Sequence, residues 1–202
     1  MGVSANNLGV RAGEDWLFRE LDLAVAEGEC LALTGSNGSG KSTLLRCLYG
    51  TQRPTEGQVR IFGQAPDERV PEFRRLASVL MDDSALFDEL SPRQHLELLT
   101  RSYPGSPEAD QELFASAGLD ARMDVPAGKL SAGQRRRLLL LGAIARPHQL
   151  LLLDEPERAL DAAGREWLVE LVRAAKSRGA VVVVASHHLA LVEDVADWTV
   201  DL

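Results

Sequence analysis

Cysteine is scarce in this 202-residue chain. Cys30 and Cys47 stand apart, without C-x-x-C spacing, which argues against a disulfide framework or a cysteine metal site and predicts buried free thiols in a reducing compartment. Basic residues are outnumbered, 22 against 30 acidic, for a net charge of −8. A large sequence-independent nucleic-acid surface is therefore disfavoured. The short run Arg135, Arg136, Arg137 reads as a solvated helix face. Long apolar stretches are missing as well. None reaches the roughly 18 residues of a membrane span, and the greasiest, 138–145 and 150–153, are split by Arg146, Pro147, His148 and Gln149. The first ten residues, MGVSANNLGV, lack the basic start and apolar core of a signal peptide. A soluble chain is expected, with any membrane role supplied by a partner. Repeats and low-complexity segments are also absent.

What is present is an ordinary globular composition, 45% hydrophobic and 26% charged, on a length that suits one α/β domain. Residues 21–25 alternate as a half-exposed strand should, and residues 30–34 (CLALT) read as a buried one. A helix is predicted from Lys41 to Leu48, stopped by Gly50 and Pro54. Strands are expected at 58–62, 150–153, 181–185 and 198–202, with a polar-to-apolar transition into a strand within 73–80. Helices are expected at 131–145, opened by Ser131 as N-cap, at 165–177 and at 188–195. The region from about 86 to 129 shows helical spacing broken by Pro104, Gly105, Pro107 and Gly118, and reads as a helical insert. Strands alternating with helices predict a mostly parallel, covered sheet.

Three motifs carry chemistry. Gly35-Ser36-Asn37-Gly38-Ser39-Gly40-Lys41-Ser42-Thr43 fits G-x-x-x-x-G-K-[ST] between a buried strand and a helix. Its glycines let backbone N–H groups curl around phosphate oxygens, and the helix start adds positive potential. Lys41 supplies a cation to the β- and γ-phosphates, and the Ser42 hydroxyl a ligand for Mg²⁺. Four leucines then lead into Asp154 and Glu155 at a strand's carboxyl end, where ligands of parallel sheets bind. Asp154 would reach the Mg²⁺, and Glu155 the attacking water as general base. Finally, Leu130-Ser131-Ala132-Gly133-Gln134 caps a helix whose free N–H groups can meet an anion.

That last stretch resembles the LSGGQ signature of ABC ATPases, with Ala132 replacing the first of the paired glycines, and its position between the other two motifs matches the family's order. The resemblance covers nearly the whole chain. It implies an α/β fold with a P-loop NTPase core, a mostly parallel sheet, an antiparallel N-terminal β subdomain and an inserted helical subdomain (about 86–145), all in a single ATP-binding domain spanning 1–202. It also implies ATP as substrate with Mg²⁺, a homodimer or heterodimer of ATP-binding subunits, and no nucleic-acid partner. Each ATP would be held by one chain's phosphate loop and the other's Ser131, Ala132, Gly133 and Gln134. Ala159-Leu160-Asp161 is similar to the family's D-loop, and His187 to its switch histidine, with His188 as rival. The implied role is hydrolysis of ATP to power an integral membrane permease, from the cytoplasmic, inner face of the membrane. The form LSAGQ-RRR is similar to that of haem-exporter subunits used in cytochrome c maturation and of small drug or peptide exporters. A soluble non-transport ABC ATPase and a low-turnover regulatory module are the alternatives.

Two positions depart from the family pattern. Asp82 stands where a glutamine is usual, in the loop that links nucleotide state to the membrane partner, and is expected to serve as a Mg²⁺-side ligand. No aromatic precedes the phosphate loop where adenine usually stacks. Arg11 or Trp16 could take that place, although Trp16 is expected to pack in the core.

Overall fold

The computed structural model describes residues 1–103 and 111–202. Pro104, Gly105 and Pro107, expected to break the helical insert, lie outside the described residues. The fold rests on three short aliphatic strands. β3 (Cys30–Thr34), β6 (Leu150–Asp154) and β7 (Val181–Ala185) lie side by side, and every residue of β6 and β7 is buried. With β5 (Ala77–Leu80) and β8 (Trp198–Asp201) they form a parallel sheet in the order β5-β6-β7-β3-β8. Continuous apolar runs are what a sheet covered on both faces requires.

The two-residue period of a strand divides these residues between two cores. Leu31, Leu33, Leu150, Leu152, Val181 and Val183 join Leu44, Leu45 and Leu48 of α1 (Lys41–Tyr49). Leu151, Leu153, Val182 and Val184 face the other way, onto Leu168 and Val172 of α6 (Ala162–Ser177). A second, antiparallel sheet, β2-β1-β4, is built from β1 (Val3–Ala12), β2 (Asp15–Val25) and β4 (Glu56–Ile61) and closes over the first core. A third cluster gathers Leu96 of α3 (Pro92–Arg101), Phe114 of α4 (Gln111–Ser116), and Leu138 and Leu141 of α5 (Ala132–Ile144). α5 also lends Leu140 and Ala143 to the second core, so it is the shared wall between the helical part and the sheet.

Most expected elements lie within a few residues of their predicted bounds. The segment 73–80 divides into α2 (Pro71–Leu76) and β5, and the last helix is α7 (Leu189–Val195). Two differences stand out. β1 was not expected, and β2 begins six residues before the predicted Leu21. Both strands are irregular: register shifts interrupt their pairing, and Asn7 and Glu20 take positive φ of 48° and 55°. Such bulges break the alternation that marks a strand. Trp16 is only half-buried and lies outside the core, because the guanidinium groups of Arg11 and Arg19 flank its ring at 4.3 and 4.7 Å. That cation–π arrangement replaces the expected core packing.

Both cysteines are buried and free. Burial pushes the Cys30 thiol up to about 12 and the Cys47 thiol to about 11, so neither forms a reactive thiolate near neutral pH.

Candidate nucleotide site

The parallel register sets the site. Leu33 pairs with Ala185, Asp154 with Ala185, and Leu80 with Leu153, so β3, β5, β6 and β7 all end at one level. The loops leaving those ends meet around a cavity of about 820 Å³ lined by Asn37, Gly38, Lys41, Ser42, Asp82, Asp154, Glu155, Glu157, Arg158 and His187. This is the crevice at the carboxyl edge of an open α/β sheet.

The loop from β3 to α1 is shaped for an anion. Gly40 caps α1 at φ 109°, and a Cβ there would lie 2.9 Å from the Phe18 ring; a side chain is excluded by conformation and by space. Lys41 is 6% exposed, and its Nζ donates to the carbonyls of Gly35 at 2.8 Å and Ser36 at 3.0 Å. The ammonium is thereby drawn into the cradle. The Ser39 hydroxyl is buried without a partner; a phosphate oxygen would satisfy it.

Asp154 is 1% exposed and its Oδ2 has no partner. Burial raises its pKa, while the Ser42 hydroxyl and the Asp82 backbone N–H, hydrogen-bonded to the carboxylate, act against that rise. A buried carboxylate oxygen left open beside a serine hydroxyl is a fitting donor set for a hard divalent cation. Asp82 lines the same cavity, but both its oxygens accept from Arg158 Nη1 at 2.7 Å.

Glu155 takes φ 45°, an unusual value for a residue with a side chain. Its N–H donates to the Ala185 carbonyl at 2.8 Å. Its Oε2 lies 2.5 Å from His187 Nδ1. Burial raises the Glu155 pKa and the neighbouring Glu157 raises it further, against His187 and Lys41. His188 borders the same cavity, with its Nδ1 accepting from the Leu191 N–H to cap α7.

The turn that carries Glu155 is held from beneath by Arg136. This guanidinium is 6% exposed. Its Nη2 donates to the carbonyls of Asp154 at 2.7 Å and Glu155 at 2.5 Å, and its Nε to that of Pro156 at 3.2 Å. The expected solvated basic face is therefore corrected: Arg135 pairs with Asp88 at 2.7 Å, and Arg137 with Asp161 at 2.7 Å. Three cations near the start of a helix oppose its dipole, and here each is answered by acceptors from elsewhere in the fold.

Ser131 caps α5 by accepting from the Gln134 N–H at 3.2 Å, while Gln134 Oε1 accepts from the Ser131 N–H at 3.0 Å. This reciprocal cap lies in a second recess with Gly133, Ala159 and Asp161. At Gly133 a Cβ would come within 2.9 Å of the Ala159 carbonyl, so only glycine allows α5 and this loop to approach so closely. Asp161 caps α6 by accepting from the Gly164 N–H. None of residues 131–134 lines the Lys41 cavity; their recess is a separate neighbour that shares Ala159 with it.

Sequence reasoning missed Arg136, Glu157 and Arg158. Glu157 is 7% exposed and accepts a short hydrogen bond from the Ser186 hydroxyl. The only sequence signal for the last two was the charge that follows the acidic pair after Pro156.

A profile of the family described as ABC transporter matches residues 18–158. The cytochrome c biogenesis ATP-binding export protein CcmA of Agrobacterium fabrum is 37% identical over 191 residues, covering 93% of this chain and 89% of that protein. Among solved structures, an ATP-binding subunit of an ABC transporter superposes with a TM-score of 0.88 at 26% identity, over 100% of this chain and 86% of that one. A dimeric ATP-binding cassette in a post-hydrolysis state, bound to ADP and Pi, gives 0.85 at 25% identity, over 99% and 94%.

Proposed function

Since the chain belongs to the ABC transporter family and is one of its ATP-binding, ATP-hydrolysing subunits, we propose a division of labour among its residues. The N–H groups of residues 35–43 and the Lys41 ammonium hold the triphosphate. Glu155 orients the attacking water and accepts its proton, and His187 fixes the Glu155 carboxylate through the 2.5 Å contact. Ser42, Asp154 and Asp82 are the residues that would hold Mg²⁺. When bound, that ion neutralises phosphate charge and polarises the γ-phosphoryl group. The protein's own contribution is position and electrostatics, since phosphoryl transfer asks little covalent chemistry of it.

The observation that carries this reading is the separation of two anion sites in one chain. The phosphate loop and the acidic pair share one cavity, while the capped helix start at Ser131 opens into another recess. A second copy, or a related chain, facing the first would bring its residues 131–134 onto the γ-phosphate and its Asp161 to the interface. Closure assembles the site and hydrolysis releases it.

The partner is an integral membrane permease, met from the cytoplasmic side. A groove of about 460 Å³ between β5, α3 and α5 is lined by Leu86, Phe87, Leu98 and Leu139, and the first of these follows Asp82 by four residues. Phe87 and Leu98 are 62% and 56% exposed. Apolar side chains left in solvent at one groove suit a docking surface. Export is the direction we assign, in line with the relative that is named for it.

The test is steady-state ATPase activity. Glu155→Gln should bind ATP as the wild type does and hydrolyse it about 10² to 10⁴ times more slowly, the usual contribution of a positioned base. Full turnover by that variant contradicts the assignment.

A further inference from the structure

Beside the nucleotide's own residues lies a second cluster. A carboxylate oxygen from each of Glu155 and Glu157 and a ring nitrogen of His187 all lie within 4.8 Å of one another. Glu157 is more than nine-tenths buried; Ser186 satisfies its Oε1, and its Oε2 has no partner. A buried carboxylate with an open oxygen is costly unless a cation or donor meets it. The cations nearby are engaged elsewhere. Lys41 is bonded to the Gly35 and Ser36 carbonyls, Arg136 to three carbonyls, and Arg158 to Asp82. Among the described residues, neither carboxylate is paired with a lysine or an arginine, and Glu155 meets only the His187 imidazole.

We propose that Glu155, Glu157 and His187 form a binding site for a zinc-class divalent ion, distinct from the Mg²⁺ residues Ser42, Asp154 and Asp82. Two carboxylate oxygens and one imidazole nitrogen leave open positions for water, the ligand set of zinc and its neighbours. Mg²⁺ prefers oxygen donors alone and discriminates against the imidazole. The Ser186 hydroxyl, bonded to Glu157 Oε1, orients the ligand as an outer-shell partner does. An ion here withdraws Glu155 and His187 from the attacking water, so the site opposes hydrolysis when filled. That consequence rests on the role proposed for Glu155, whereas binding itself does not.

The experiment is titration of Zn²⁺ into the untagged, nucleotide-free chain against a chromophoric zinc competitor, with millimolar Mg²⁺ present throughout. One Zn²⁺ should bind per chain. His187→Ala, at a side chain that is 68% exposed and so removable without harm to the fold, and Glu157→Gln should each weaken binding by about 100-fold or more, since even an outer-shell change costs 10- to 100-fold. His188→Ala should leave binding unchanged. Absence of zinc binding, displacement by Mg²⁺, or binding that survives both His187→Ala and Glu157→Gln overturns the site. Stoichiometric binding that leaves the ATPase rate untouched upholds the site and overturns the role given to Glu155 instead.

Discussion

At the scale of the residue, Glu155 shows how much of this site is backbone. Its left-handed φ of 45° costs on the order of 1–3 kcal/mol, and such strain persists only where surrounding contacts impose it. Here the imposing contacts are the three donated hydrogen bonds of Arg136. Arg136→Met keeps the volume and removes all three. It should lower kcat by about 10²-fold, the cost of misplacing a reacting group by an ångström, while ATP affinity stays near the wild-type value. Arg136→Lys, one cation without the planar fork, should recover only part of the loss. Equal losses in affinity and kcat would show that Arg136 merely supports the fold. That Lys41, Ser42, Asp154 and Glu155 would meet in one cavity was legible in the sequence, because the motifs place them at the carboxyl ends of neighbouring strands. Arg136, Glu157 and Arg158 were not, because their meaning depends on partners 18, 29 and 76 residues away. A run of three arginines looks the same whether water or carbonyls receive it.

At the scale of the element, α5 joins functions that the sequence presents separately. Its first turn carries the Ser131 cap, its second the Arg136 clamp on the Glu155 turn, and its later leucines pack on both the sheet and the helical cluster. One helix thus touches both the Ser131 recess and the turn that carries Glu155. On its far side α5 walls the groove that holds Phe87 and Leu98. Phe87→Asp with Leu98→Asp should leave basal ATPase activity within about twofold, surface changes of this kind being mild, and should abolish co-purification with the membrane subunit. Retained co-purification would place the docking surface elsewhere. The buried strands and capped helices of this architecture were readable because aliphatic runs and Ser-x-x-Gln boxes are local signals. β1 escaped because Asn6, Asn7 and Gly9 interrupt its apolar face where the pairing register shifts, and a bulged strand lacks the period by which strands are read.

At the scale of the whole molecule, the resemblance carried the fold class and the family correctly, since the three motifs recur in order along one chain. The composite site was legible only as an implication. Nothing local in the sequence says that the Lys41 cavity and the Ser131 recess are separate neighbours meeting at Ala159. The proposed second copy would bring the two together, with ATP as substrate and as the bridge between chains. Among the described residues no helix is long and apolar enough to cross a membrane. The most direct measurement is light scattering of Glu155→Gln with saturating Mg²⁺ and ATP. The account predicts twice the monomer mass with nucleotide, the monomer without it, and the monomer again when Ser131→Arg is added. A protein that stays monomeric at saturating ATP, or that dimerises equally well with Ser131→Arg, contradicts it.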